Sequence, residues 1–280
     1  MKIQHESGIS AECIAASIYE GGPPIYTVVT RAPKSIDAEF EKHRMLSSNS
    51  SSSRAIPVEK IIKQVEEDPW LPLDWRYAQK GMQGDKHIIG AELRACQSRW
   101  LDARKDAIDA AKALLEIGAH KQVINRILES WIWQHKVITG TEWENFFNLR
   151  CHPAADPAMQ TLANCIKEAI ETAEPVDRSD GSWHLPFILP NERKVYLDND
   201  NRMVSAARVA RISYSNHGTE KIDRYCDLVL ADSLKSQRHL TPFEAQARKL
   251  KAEDRSCYYR DGAHWSANFR GWLQYRKEIE

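Results

Sequence analysis

The hydrophobic and polar positions divide the chain into stretches of two periods. Residues 11 to 31 are β-rich, CIAASIY and then PIYTVVTRAP. The β-branched and aromatic run Tyr26–Thr30, preceded by Gly21-Gly22-Pro23-Pro24, predicts a strand. Ile36 to Arg44, after Pro33, predicts a short helix. From Val58 to Glu67 the period lengthens, with Ile61, Ile62 and Val65 on one helical face. Residues 68 to 88, with Pro69, Pro72, Gly81 and Gly84, predict irregular chain. The strongest helical pattern runs from Ile89 to Ile117, where Leu93, Cys96, Trp100, Ala103, Ile108, Ala111, Leu114 and Leu115 recur at helical steps. Gly118 is the natural stop. Lys121 to Glu129 predicts a second helix, turning Val123, Ile124, Ile127 and Leu128 inward and leaving Asn125 and Arg126 free. Trp131 to Thr139 reads as a strand, Glu142 to Arg150 as a helix or tight turn with an aromatic face, and Pro157 to Glu171 as an amphipathic helix. Residues 174 to 186 read as a loop, Pro190 to Arg202 as a polar linker, and Lys221 to Ser233 as a helix.

One stretch fits neither period. Glu39 to Pro57, EFEKHRMLSSNSSSSRAIP, places Lys42, His43 and Arg44 before a serine run that ends in Ser53 and Arg54. By composition it is a flexible linker. Cationic donors at both ends, with small hydroxyls and backbone N–H groups between, also suit a phosphate or carboxylate-rich ligand, held in an ordered loop.

The spacing adds a resemblance. His43-Arg44, seven residues and then Ser52 resembles the Arg-His-Arg, seven residues, Ser signature of the flavin-dependent thymidylate synthases, the ThyX family. Ser47, Asn49, Ser52 and Arg54 stand where that family has Ser, Asn, Ser and Arg. Lys42 replaces the first Arg, Ser50 replaces a Glu, and Glu39 stands where the family often has Gln. Arg31-Ala32-Pro33 keeps the family's spacing ahead of the motif. Arg126-Ile127-Leu128 resembles a second block, whose arginine holds the nucleotide phosphate. Glu142 to Arg150 resembles a third, holding flavin through Asn145 and the pyrimidine through Arg150. His239-Leu240-Thr241-Pro242-Phe243-Glu244 resembles the His-x-Thr-Pro-Phe-Glu-His turn, with Ala245 in place of the last His. Ala207-Arg208 to Tyr214 resembles the strand just upstream of that turn. In the family these last two pieces lie at the N-terminus, so their position here implies a circular permutation, which is tolerated where termini lie close at the surface.

The resemblance implies an α/β (α+β) fold with a central antiparallel or mixed sheet and long helices. It implies one catalytic domain over 1–280, with the KHR-x7-S motif in 1–190 and the permuted segment in 203–280. It implies a homotetramer with inter-subunit sites, FAD, NADPH and 5,10-methylenetetrahydrofolate, and conversion of dUMP to dTMP. Flavin would fall to Lys42, His43, Arg44, Ser50, Asn145, His239 and Thr241. The nucleotide would fall to Glu39, Ser50, Ser51, Ser52, Ser53, Arg54, Arg126 and Arg150. Arg150 carries the catalytic role, because a fixed guanidinium beside N3 and O2 makes C5 of the pyrimidine more nucleophilic. Replacing Glu by Ser50, and having a carboxylate at Glu39, leaves dCMP and a hydroxymethyl product open beside dUMP and methyl.

Bulk properties limit the alternatives. The chain has 280 residues, enough to bury a full core. Lys+Arg and Asp+Glu are equal at 39 each, so there is no global electrostatic case for nucleic acid or an anionic membrane. No apolar run reaches the length of a membrane span, and MKIQHESGIS lacks a signal-peptide apolar region. Six scattered cysteines, without C-x-x-C, argue against zinc and against a disulfide scaffold and fit a reducing cytoplasm. Two local features keep alternatives open. Cys151, between Arg150 and His152, is either a nucleophile of lowered pKa, as in the flavin-free thymidylate synthases, or a small core residue. The tail Asn268–Lys277, with interleaved aromatics and cations, is either a stacking surface or a C-terminal amphipathic helix. Outside this family, the serine loop and the tail fit a nucleic-acid-binding module, and a non-catalytic homologue keeps the fold without turnover.

Overall fold

Three N-terminal strands, β1 (Lys2–Gln4), β2 (Ser10–Ile18) and β3 (Ile25–Pro33), make an antiparallel meander. A computed structural model describes residues 1–81, 84–214, 223–254 and 257–280. After a single helical turn, α1 (Asp37–Phe40), the serine run does not remain a loop: it is strand β4 (Ser47–Ser50). The predicted helix over 36–44 is therefore short, and Lys42, His43 and Arg44 lie in the turns that follow it. Strand β5 (Trp133–Gly140) inserts between β3 and β4, setting Val28 opposite Ile138 and Asn49 opposite Val137. β6 (Val176–Asp177) joins in parallel beside β2 to complete a six-stranded sheet. Serine has no strong strand preference; the ladder with β5 satisfies its backbone, so tertiary pairing overrides local propensity.

Between β4 and β5 lie α2 (Val58–Glu67), α3 (Gly90–Ile117) and α4 (Lys121–Ile127). Ile61, Ile62 and Val65 pack against Ala107, Ile108, Ala111, Ile124 and Leu128. Helix α3 has 28 residues, a length of about 42 Å. Gly118 ends it in the left-handed region, with φ 85°. Its apolar stripe is buried only at Ala107, Ile108 and Ala111, while Leu93, Cys96 and Trp100 remain partly exposed. Along α4 the inward side differs from expectation: Ile124 and Leu128 are buried, but Val123 and Ile127 are exposed. Asn125 is not free but fully buried, donating to the carbonyls of Ser53 (2.6 Å) and Ile56 (3.0 Å).

After β5 come α5 (Glu144–Arg150) and α6 (Pro157–Glu171). Asp156 caps α6 by accepting from the N–H groups of Ala158 (2.9 Å) and Met159 (3.1 Å), and Pro157 sits where its missing N–H costs nothing. The buried stripe Met159, Leu162, Ala163 and Ile166 covers one sheet face, over Ile9, Ala11, Val28 and Ile138.

The C-terminal part covers the other face, and here the sequence expectations need correction. Pro190 to Arg202 is no linker: it holds α7 (Pro190–Val195) and the start of α8 (Asp198–Ala210). Part of its polar set, Glu192 and Arg193, is engaged internally, while Asn191, Lys194, Asp198 and Asn199 stay exposed. Glu192 Oε1 pairs with Arg208 at 2.6 Å, and Arg208 pairs with the fully buried Asp227 at 3.0 Å. Residues 207–214, expected as a strand, are the end of α8 and a 3-10 turn, Arg211–Tyr214. Helix α9 (Arg224–Ser236) begins later than expected; Lys221 and Ile222 lie outside the described residues. Short strands follow, β7 (Ala247–Lys249), β8 (Tyr258–Arg260), β9 (Ala263–Ser266), β10 (Phe269–Arg270) and β11 (Trp272–Gln274), and then α10 (Arg276–Ile279). The tail is thus two short strands and one helical turn, with Phe269, Trp272 and Leu273 buried.

This C-terminal part holds the sheet through specific polar contacts. Val209, Ile212 and Ala245 pack on Val137. His184, fully buried, bridges Ser17 Oγ at 2.9 Å and Thr27 Oγ1 at 2.8 Å. Among the described residues, no helix is long and apolar enough to cross a membrane.

Candidate active site

The turns after α1 and the helix α5 face each other across a cavity of about 800 Å³. Lys42, His43 and Arg44 line one side, and Asn145, Phe146, Asn148 and Arg150 line the other. The β8–β9 hairpin and β10 close a third side with Arg260, Asp261, Trp265 and Arg270. The volume lies in the range of small-molecule and cofactor sites.

Arg150 is the best-anchored group in this cavity. Its Nε donates to His43 Nε2 at 2.8 Å, and its Nη1 donates to Glu39 Oε2 at 2.9 Å. Its Nη2 also reaches the Glu39 carbonyl at 3.5 Å. Because His43 Nε2 accepts, the ring proton sits on Nδ1 and the imidazole is neutral. Burial pushes the His43 pKa below its ordinary value, and the Arg150 charge pushes it further the same way. The ring stands edge-on to Phe146, with centroids 4.9 Å apart. The guanidinium is therefore fixed in direction before any ligand arrives, which is what an electrostatic role requires.

A buried lysine fixes the other end of the same segment. Lys136, on β5, is nearly inaccessible and lies 4.5 Å from the centre of the Phe40 ring. Its Nζ is 2.6 Å from Asp37 Oδ1 and also pairs with Glu41. Asp37 further accepts from Lys34 at 2.7 Å and from Gln134 at 3.2 Å. Burial works to raise the Asp37 pKa, but Lys136 and Lys34 outweigh it and hold the carboxyl below its ordinary range. Asp37 and Glu41 thus clamp α1 to the sheet, Glu39 ties it to Arg150, and Lys42, His43 and Arg44 emerge with their direction set.

The remaining sequence candidates lie elsewhere in the chain. Ser50 pairs in the ladder opposite Lys136. Ser51 is buried, with its N–H on the His135 carbonyl at 2.8 Å and its Oγ accepting from the His135 N–H at 3.1 Å. Ser52 N–H donates to the Ser213 carbonyl at 3.0 Å. Ser53 Oγ donates to Glu129 Oε1 at 2.7 Å, and Arg126 approaches the same carboxylate at 3.6 Å. Arg54 and Arg126 are exposed. Arg44 and Arg54 are ten residues apart, at most about 35 Å of extended chain. His239 is exposed after α9, and Thr241 opens a 3-10 turn, Thr241–Glu244; neither lines the cavity.

Cys151 does not point toward an activated thiolate. It packs against the core, its thiol is pushed up by burial, and Arg150 is engaged by His43 and Glu39. Sequence reasoning missed Asp37, Lys136, Arg260 and Trp265; Arg270 lies in the tail read as either a stacking surface or an amphipathic helix. The lysine inside the β5 run WQHKVITG was the available signal, since a charge in a central strand needs a partner. The hairpin residues carry no sequence signal, because only folding returns the chain end to α5.

The sequence model described as "Thymidylate synthase complementing protein" matches residues 24–176, more than half of the chain. Comparison with curated proteins yields no match. Among matching solved structures is the crystal structure of a UMP/dUMP methylase PolB from Streptomyces cacaoi bound with 5-Br dUMP. It is 18% identical, with a TM-score of 0.43, over 52% of this chain and 66% of that one. This chain therefore spans just under two thirds of that protein. The matched stretch contains β3, α1 with its KHR turn, β4, the buried Lys136 and the anchored Arg150, and on that match the chain belongs to the thymidylate synthase complementing protein family, ThyX.

Proposed function

We propose that the chain is a flavin-dependent enzyme that methylates C5 of a pyrimidine deoxynucleoside monophosphate, dUMP before others. The observation that carries this reading is Arg150, held by His43 and Glu39 on the wall of a cavity that Lys42, Arg44, Arg260 and Arg270 share with Glu142, Glu144 and Asp261. The lining residues suit FAD by their chemistry. Lys42, Arg44, Arg260 and Arg270 are donors for a pyrophosphate, Asn145 offers an amide, and Trp265 offers an aromatic surface. When bound, the flavin supplies hydride drawn from NADPH, and methylenetetrahydrofolate supplies the carbon. The chain's own residues orient and polarise. In this reading Arg150 stabilises negative charge on the pyrimidine, and neutral His43 holds its guanidinium without competing for that charge.

Ser51, Ser52, Ser53, Arg54 and Arg126 form the nucleotide end, with the phosphate at the two exposed arginines. They stand at the far end of the serine strand from Arg150, so a complete site joins residues of more than one copy in a homotetramer. Thr241 and His239 enter the flavin site in the same way. The partly uncovered α3 stripe at Leu93, Cys96 and Trp100 supports such an assembly. The chain is one catalytic domain whose C-terminal part is permuted. Asn49 Nδ2 donates to the Val209 carbonyl at 2.8 Å, and Ser52 meets Ser213, so the late segment packs beside the motif.

Glu39 favours a second reading. Its carboxylate sits beside Arg150, and Ser50 supplies none, so on this reading an amino-bearing pyrimidine, dCMP, finds an acceptor there. The test is to record the visible spectrum of the purified protein and then supply dUMP and dCMP separately with NADPH and methylenetetrahydrofolate, identifying products by mass. Conversion of dUMP to dTMP by a yellow protein supports the first reading, and conversion of dCMP alone supports the second. A protein that cannot take up FAD refutes both.

A further inference from the structure

A second cavity, of about 750 Å³, lies behind the first. Arg270 lines both. Its Nε is held by Glu142 Oε1 at 2.6 Å and its N–H by Thr141 Oγ1 at 3.0 Å, so the shared wall is fixed. The walls of the second cavity are Tyr19 with the Gly21-Gly22-Pro23 turn, the Leu250–Ala252 segment with Lys251, and the β9 start at His264.

These walls are preformed. Tyr19 OH donates to the Gly271 carbonyl at 2.9 Å, and its ring meets Trp272 edge-on at 5.1 Å. Trp272 Nε1 donates to the Pro23 carbonyl at 2.8 Å. A Cβ at Gly22 would fall 2.0 Å from the Tyr19 ring. One at Gly271, where φ is +75°, would fall 2.4 Å from Tyr19 Oη and 2.9 Å from Pro23 Cδ. Only glycine permits this closure at both positions. Among the described residues that line the cavity, none is acidic, while Lys251, Arg270 and His264 all face it. Lys249 Nζ adds charge 5.0 Å from the centre of the Tyr19 ring.

We propose that this cavity is a second small-molecule site, for an anion that carries phosphate or carboxylate groups. Lys251, with Arg270 whose Nε is paired with Glu142, supplies donors on rigid walls that hold no carboxylate of their own, so an anion binds there with little ordering cost. The site goes beyond the proposed methyl transfer and does not depend on it. Apart from Arg270, none of its lining residues belongs to the candidate active cavity.

Calorimetric titration of the full chain with inorganic pyrophosphate and, separately, with a triglutamate peptide tests this. The variants are Lys251→Glu, His264→Ala and, as a control in the other cavity, Arg150→Ala, each checked by circular dichroism. Binding of either probe is expected, weakened about tenfold or more by Lys251→Glu and by His264→Ala, and changed less than about twofold by Arg150→Ala. Pyrophosphate alone identifies a phosphate ligand, and the peptide alone a carboxylate. Absence of binding by both probes at millimolar concentration overturns the proposal. So does binding that survives Lys251→Glu or that Arg150→Ala abolishes.

Discussion

Replacing Lys136 by Met keeps the stem that packs on Phe40 and removes the charge that clamps α1. Breaking a buried ion pair costs about 3–5 kcal/mol, because the surviving charge is left desolvated. The exposures decide where in that range this site falls. The Lys136 side chain is 6% exposed, Asp37 is 19% and Glu41 is 56%, so Glu41 returns to water while Asp37 does not. Lys34 remains on Asp37 at 2.7 Å and softens the loss. The lower end applies, about 3 kcal/mol. In a protein of this size that lowers the melting midpoint by roughly 6–12 °C. Thermal unfolding followed by circular dichroism at pH 7 measures it. The pH dependence supplies a sharper check. The Asp37 pKa is depressed in the folded wild type, so its contribution is present above the unfolded value and is lost as pH falls through the folded one. Without Lys136 the folded carboxyl titrates higher, so the gap between variant and wild type narrows below about pH 4. Equal midpoints at pH 7, or a gap that stays constant into acid, refute the clamp.

Arg150→Lys keeps a charge but cannot hold both His43 and Glu39 in one plane. Turnover with the accepted nucleotide is expected to fall about 10²–10³-fold while the melting midpoint stays near wild type, read by steady-state kinetics beside circular dichroism. Protonating His43 turns its Nε2 from acceptor to donor against a cation. Because burial and Arg150 depress its pKa, activity is expected to hold through pH 6.5 and to drop only below it; a decline already complete at neutral pH argues against the contact. His184 is held neutral, with a pKa pushed down to about 3 from 6.5, chiefly by burial and then by Arg193 and Arg178. The unfolded chain takes up that proton first, so stability is full above pH 6.5 and erodes toward pH 3. The loss is about 2 kcal/mol by pH 5. Urea unfolding of His184→Gln at pH 7 and pH 5 should show a smaller acid loss than wild type, and an equal loss refutes the assignment.

Local pattern carried most of the helices. Val58–Glu67, the long helix ending at Gly118 and the Asp156-capped helix from Pro157 are legible because one apolar face and a terminal signal suffice to specify each. The family motif was equally local, since His43, Arg44, Ser52 and Arg54 are read by spacing alone. What failed was local evidence that tertiary contacts reverse. The serines form a strand because β5 lies beside them, and the polar 190–202 segment is helical because Glu192, Arg208 and Asp227 bury one another's charges.

The sequence by itself determined the family, the helix boundaries set by caps and glycines, and the identity of the cationic motif, because each depends on neighbours within a few turns. Only the tertiary structure decided what the motif faces. Arg150 meets His43 and Glu39 across more than a hundred residues. Lys136 on β5 finds Asp37 on α1, and Arg260, Trp265 and Arg270 return from the chain end to close the cavity. Such contacts are set by how sheet and helices bury their apolar faces against one another, and no periodicity along the chain encodes which polar groups that burial brings together.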